Sequence, residues 1–234
     1  MLRSLIVVSL TFLYTVLAGA IFIPYTLIIR RSAALYRAGV CGIRLAMWLG
    51  GVRVQVEGRE RIDPRATYVF MLNHVSNVDV AAMAFLPRVV VLTKQELFRI
   101  PVLGRAMRMV GMIPVPRGTH QAAVTVEAGV TALRGGRSMM VFPEGTRSPT
   151  EEMLPFRRGV FVMAIRAGVP VVPVTLLGTR QIMRKGDPRI HPGDVRMVLH
   201  EPIPTAGFSE QQRFSLVQSV RGAIASALEH RSLQ

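Results

Sequence analysis

The stretch LIVVSLTFLYTVLAGAIFIPYTLII, from Leu5 to Ile29, carries no charge. It is longer than the roughly 20 apolar residues that cross a bilayer core. Pro24 predicts a kink or an end to a helix there. Arg30, Arg31, Arg37 and Arg44 follow, and no acidic residue appears before Glu57. On a helix Arg30, Arg37 and Arg44 share one face, with Leu35, Ile43, Ala46 and Leu49 roughly opposite. Residues 1–50 therefore read as a hydrophobic anchor followed by an interfacial helix, with Trp48 at headgroup level. Gly39 and Gly42 weaken that second helix. A cleaved secretory leader and a buried pair of core helices compete with this reading. Against the leader, the apolar run continues past the small residues of VLAGA and only Arg3 precedes it. If the run spans a cell inner membrane or another membrane, the arginines after it place the remainder on the cytoplasmic side. Composition does not separate spanning from dipping into one leaflet.

From residue 51 to 234 the pattern changes to short β-rich runs alternating with helical stretches. VRVQVEG alternates at period two, while TYVFML, RVVVLT, MIPV, SMMVFP and VPVVPVTLLG are compact apolar runs. Helices are expected over Val78 to Phe85, Pro101 to Met109, His120 to Leu133 and Val160 to Ala167. VRMVLHE reads as a late strand, and a closing amphipathic helix follows with Ser209 as its N-cap. Strands alternating with helices predict one α/β domain: a largely parallel or mixed central sheet flanked by helices. The single cysteine, Cys41, excludes an internal disulfide and a cysteine-rich zinc cage.

The chemistry gathers where TYVFML ends in NHVSNVD. His74 follows the strand, and Asp79 falls in the first turn of the next helix, capped by Ser76 or Asn77. That turn lets the Asp79 carboxylate reach one imidazole nitrogen, fix the tautomer and leave the other nitrogen free as a base. Taken alone, the pair reads as a capped turn with a satisfied histidine. It is half of a catalytic triad, and the other half is missing. There is no G-x-S-x-G elbow, and the only cysteine lies in the anchor. The expected base therefore activates a hydroxyl or water directly, with no covalent acyl-enzyme.

Four blocks, in order, resemble the glycerolipid acyltransferases typified by 1-acyl-glycerol-3-phosphate acyltransferase. NHVSNVD is similar to the family's N-H-x-x-x-x-D block. KQELFRIPVLG with GMIPVPRG is similar to its second, FPEGTRS (142–148) to its third, and VPVVPVTLLGT to its hydrophobic fourth. The resemblance implies transfer of a fatty acyl group from acyl-CoA or acyl carrier protein to a glycerolipid hydroxyl. His74 would act as base and Asp79 as its orienter. A thiol leaves, so neither a metal nor a cofactor is implied.

The same resemblance implies substrate-binding roles for Lys94, Arg117, Glu144, Gly145, Thr146 and Arg147. The side-chain chemistry suits the guanidinium groups of Arg117 and Arg147, which offer bidentate donors to a phosphate. Lys94, one of only two lysines in the chain, reads either as a substrate ligand or as a solvated charge at a helix start. Glu144 has the wrong sign for a phosphate and is expected to orient Arg147 or Arg117, or to bond a substrate hydroxyl. Gly145 permits close backbone approach, and its N–H with that of Thr146 forms a candidate anion cradle. Arg157 and Arg158 of PFRRG read by default as a solvated face, with the membrane or the donor's phosphates as alternatives. His120, His191, His200 and His230 read as structural or surface groups.

The formal net charge of +15 admits an anionic membrane surface or nucleic acid as partner. The nucleic-acid reading lacks a groove-entering motif and stacking aromatics, and leaves the uncharged run without a use. The acceptor expected from the resemblance is lysophosphatidic acid. A lyso-ornithine lipid or another lysophospholipid remains an alternative.

Overall fold

The computed structural model describes residues 1–115 and 122–229. Seven strands form one sheet: β1 (Val52–Glu57), β2 (Val69–Leu72), β3 (Val89–Lys94), β4 (Ile113–Val115), β5 (Ser138–Val141), β6 (Val171–Leu177) and β7 (Gly193–Leu199). Their spatial order is β1-β7-β6-β2-β5-β3-β4. Strands β6, β2, β5, β3 and β4 run parallel to one another, while β7 lies antiparallel to β6 and parallel to β1. The sheet is therefore mixed, and the late strand closes it towards β1 instead of extending the parallel series.

Alternate residues of β2 supply two cores, as a pleated strand buried on both faces requires. Val69 and Met71 pack with Leu133, Phe161, Leu216 and Val220 on one face. Those partners come from α4 (Ala122–Arg134), α5 (Gly159–Ala167) and α7 (Arg213–Glu229). Phe70 and Leu72 pack on the other face with Tyr36, Ala82 and Met83. Tyr36 belongs to α2 (Ala33–Leu49), so this helix covers the sheet. Ser209 caps a 3-10 turn, Glu210–Gln212, that leads into α7, with the Gln212 side chain completing a capping box.

The N-terminal run forms α1 (Leu2–Ile29), the one described helix long and apolar enough to cross a membrane, with mean hydropathy 2.4. Its apolar side chains point largely outward, Leu2, Phe12 and Ile28 among them. Pro24 does not end it: the helix runs on to Ile29 and stops at a left-handed Arg30. A proline here removes one backbone donor, and the bonds on either side hold the helix. Gly42, which weakens α2 by propensity, has a packing reason, since a Cβ there would lie 2.6 Å from Tyr14 Cε1 of α1. The hydroxyl of Tyr14 donates to the Ala38 carbonyl at 2.9 Å.

Two arginines leave the expected basic face of the second helix. Arg30 caps α1, and Arg44 donates through Nε and Nη2 to the Ala84 carbonyl at 3.0 and 2.7 Å. The expected α-helix over Val78 to Phe85 is a 3-10 helix, Asn77–Ala84. The guanidinium of Arg44 closes its C-terminal end. The expected helix from Pro101 begins at Leu103 as α3 (Leu103–Met109), after Val102 at φ 62°. The expected start of the next helix at His120 lies outside the described residues.

Candidate active site

Because β2, β3, β4 and β5 are parallel, the segments after them share one rim of the sheet. The end of β6 joins them on the far side of β2. Ligands gather at such a rim in open α/β sheets. It carries NHVSNVD after β2, Lys94 at the end of β3, FPEGTRS after β5 and Gly178-Thr179 after β6.

Asn73 begins the site. Its side chain copies a backbone, donating from Nδ2 to the Leu176 carbonyl at 3.0 Å and accepting from the Leu176 N–H at 2.7 Å. It thereby continues the β2–β6 pairing past Leu72 while the main chain turns away. His74 is delivered at that turn. Its Nδ1 lies 2.8 Å from Asp79 Oδ2. The same oxygen accepts the N–H groups of Val75 and Ser76, both at 2.7 Å. Ser76 Oγ accepts from the Val78 N–H and donates to the Met183 carbonyl at 2.7 Å. Ser76 is thus the cap, and Asp79 completes its capping box. The 3-10 geometry tightens the turn, which keeps the carboxylate beneath the imidazole.

The FPEGTRS segment closes around this histidine. Phe142 stacks on the imidazole, centroids 4.0 Å apart and planes 18° apart. The His74 N–H donates to Glu144 Oε1 at 2.7 Å, and the His74 carbonyl accepts from the Ser148 N–H at 2.7 Å. The second Glu144 oxygen accepts from the Leu154 N–H at 2.9 Å. Glu144 is 3 % exposed, so its expected bond to an arginine or a substrate hydroxyl is replaced by two backbone bonds. Burial raises its pKa, against the lowering effect of the Leu154 and His74 N–H groups.

The expected anion cradle also differs. The Gly145 N–H is used within the loop, donating to the Phe142 carbonyl at 3.0 Å. Gly145 sits at φ 69°, and a Cβ there would overlap Arg157 Nε, so the close approach is made by this chain's own guanidinium. Thr146 is exposed. Arg147 Nη1 is buried without a hydrogen bond among the described residues, and the Arg147 carbonyl accepts from Lys185 Nζ at 2.9 Å. Lys94 is exposed, two strands from β2. Arg117 lies outside the described residues, as do His120 and His230. His200 is structural, its Nε2 2.8 Å from Thr175 Oγ1.

Sequence reasoning missed Phe142, Asn73 and Arg157 as parts of the site. Phe142 sits at the head of the FPEGTRS block, which was the available signal. The bonds of Asn73 and the contact of Arg157 need partners far along the chain.

With Nδ1–H donated to Asp79, Nε2 keeps its lone pair, and it makes no hydrogen bond among the described residues. The side chain is 15 % exposed and Asp79 is 0 % exposed. The arrangement can accept a proton from a small group presented at the rim and stabilise the resulting imidazolium.

A sequence profile of the acyltransferase family matches residues 53–177, more than half of the chain. The chain belongs to the acyltransferase family. It is 30 % identical to a 1-acyl-sn-glycerol-3-phosphate acyltransferase of Borreliella burgdorferi over 80 % of this chain and 76 % of that protein. It is 37 % identical to a chloroplastic 1-acyl-sn-glycerol-3-phosphate acyltransferase of Brassica napus over 64 % of this chain, and the match spans only 45 % of that longer protein. The crystal structure of the 1-acyl-sn-glycerophosphate acyltransferase PlsC from Thermotoga maritima superposes with a TM-score of 0.85 at 27 % identity, covering 100 % of this chain and 96 % of that one.

Proposed function

We propose that this acyltransferase moves a fatty acyl group from acyl-CoA or acyl carrier protein to the sn-2 hydroxyl of 1-acyl-glycerol-3-phosphate, giving phosphatidic acid. The observation that carries the reading is the His74 ring, held by Asp79 through Nδ1 with Nε2 left as acceptor. It stands on the rim of a sheet similar to that of an enzyme named for this acceptor.

Nε2 takes the proton of the acceptor hydroxyl as the oxygen attacks the thioester carbonyl. The tetrahedral adduct collapses and its C–S bond breaks. The imidazolium returns its proton to the departing thiolate, so ester and thiol are the products. Asp79 holds the tautomer throughout and offsets the transient positive charge. Arg147, with Lys94 and Arg117, supplies cations for the acceptor phosphate. Glu144 works through the His74 backbone and touches neither substrate. In this reading α1 attaches the enzyme to the membrane that holds its acceptor, with the α/β domain on the cytoplasmic side against an anionic surface.

The test offers labelled acyl-CoA and acyl carrier protein to the purified chain in detergent, with lysophosphatidic acid, lysophosphatidylcholine and lyso-ornithine lipid as acceptors. Phosphatidic acid should form and should fall by about 10²–10⁴-fold in His74→Ala. Product from lyso-ornithine lipid alone would keep the chemistry and move the acceptor. No transfer to any acceptor would overturn the reading.

A further inference from the structure

Asp79 uses its two oxygens unequally. Oδ2 receives the imidazole and two backbone N–H groups, while Oδ1 is buried with no hydrogen bond among the described residues. A second oxygen is in the same condition: Thr179 Oγ1 is buried with no hydrogen bond among the described residues, in a residue 1 % exposed. Both residues line one cavity of about 10 Å³, whose other walls are apolar, Val78, Ala82, Leu176 and Met197 among them. Thr179 opens α6 (Thr179–Ile182), the short helix after β6. That helix is braced against the catalytic turn, because Ser76 donates to the carbonyl of Met183, its C-cap.

An ionised carboxylate oxygen left unpaired in an apolar wall is costly, and so is a buried hydroxyl. A buried water needs roughly 10–15 Å³ and two to four polar partners. Size and polarity therefore agree on one occupant. We propose that this cavity binds a single water molecule that accepts the Thr179 hydroxyl proton and donates to Asp79 Oδ1, making Thr179 a positioning residue for the catalytic carboxylate. The water fixes the plane of the carboxylate from the side away from the imidazole, so that Oδ2 stays on Nδ1 as the proton moves. The site has neither Lys94 nor any residue of FPEGTRS in its lining. Its consequence for turnover rests on the acyl-transfer reading above, whereas its occupancy does not.

Thr179→Val keeps the side-chain shape and removes the hydroxyl. In that variant kcat should fall about tenfold, as expected for a lost bond to a charged group. The KM for lysophosphatidic acid should be unchanged, and Thr179→Ser should restore the rate. High-resolution diffraction from the wild-type chain should show an ordered water within bonding distance of both oxygens, and none in Thr179→Val. An empty cavity in wild-type maps that resolve other buried waters would overturn the proposal, as would a Val variant with wild-type kcat. A wild-type chain inactive on every acceptor would sink the acyl-transfer reading while the maps still decided the water.

Discussion

Around His74 both backbone polar atoms and one ring nitrogen have partners, and an aromatic ring covers one face of the imidazole. Two strands away Lys94 stands exposed, and the buried Arg147 Nη1 has no hydrogen-bond partner among the described residues. In the proposed reaction the two regions do different work. A base must meet a hydroxyl proton within a few tenths of an ångström, so its orientation is set before substrate arrives. A cation attracting a phosphate acts through a field that falls off gradually with distance, and flexible side chains can adjust to it. In this protein the hydrogen bonds are concentrated where proton transfer is proposed.

Asp79→Asn should break that contrast most severely. Without the carboxylate charge the imidazolium loses its partner, and kcat should fall by about 10²–10⁴-fold with little change in acceptor KM. Steady-state kinetics across acceptor concentrations measures both. Glu144→Gln comes next and sharpens the comparison. One of its two backbone N–H partners would then face an amide NH₂, so the His74 backbone loses definition. We expect kcat to drop about tenfold or more and stability to fall by about 1–3 kcal/mol, the cost of a buried donor left unmade. A raised KM with unchanged kcat would instead make Glu144 a substrate ligand.

Arg147→Ala should show the opposite split. The KM for lysophosphatidic acid should rise about tenfold, the scale of one charge-assisted hydrogen bond, while kcat changes less. Titrating the acceptor headgroup charge in the assay would confirm the cause. The smallest effect concerns His200, which pairs with a hydroxyl and not with a carboxylate. Burial, reinforced by Arg61, lowers its pKa below 6.5. The unfolded chain therefore takes up this proton first as the medium is acidified. Stability from this group is present above 6.5 and declines from there down to the lowered folded value. In His200→Gln that component of the slope in thermal midpoint against pH should vanish.

The legible part of the site is local. His74 and Asp79 are five residues apart, and a capped turn after an apolar strand already brings them together. Ser76 and Asp79 form a box any N-terminal helical turn can make. Glu144 was legible as a member of a block, but its backbone partners were not. Its partner, the His74 N–H, is 70 residues away and is reached only because β5 lies beside β2. Asn73 depends likewise on Leu176 across the β2–β6 pair, at a separation of 103 residues. Pro24 and the helix after Ser76 show local rules being overridden. One helix tolerates a missing donor, and the other tightens to 3-10 with Arg44 closing its end.

Composition and spacing by themselves determined an apolar N-terminal helix, an alternation of strands and helices, and a histidine with a carboxylate waiting in the next turn. All of these follow from contacts within a few residues, where backbone geometry leaves few options. Tertiary structure decided the strand order, and so which loop meets which. It gave Glu144 the backbone N–H groups of His74 and Leu154 as partners, gave the space over Gly145 to Arg157, and put Thr179 and Asp79 on the wall of one cavity. Those outcomes depend on non-local pairing of strands, whose partners no short window of sequence contains.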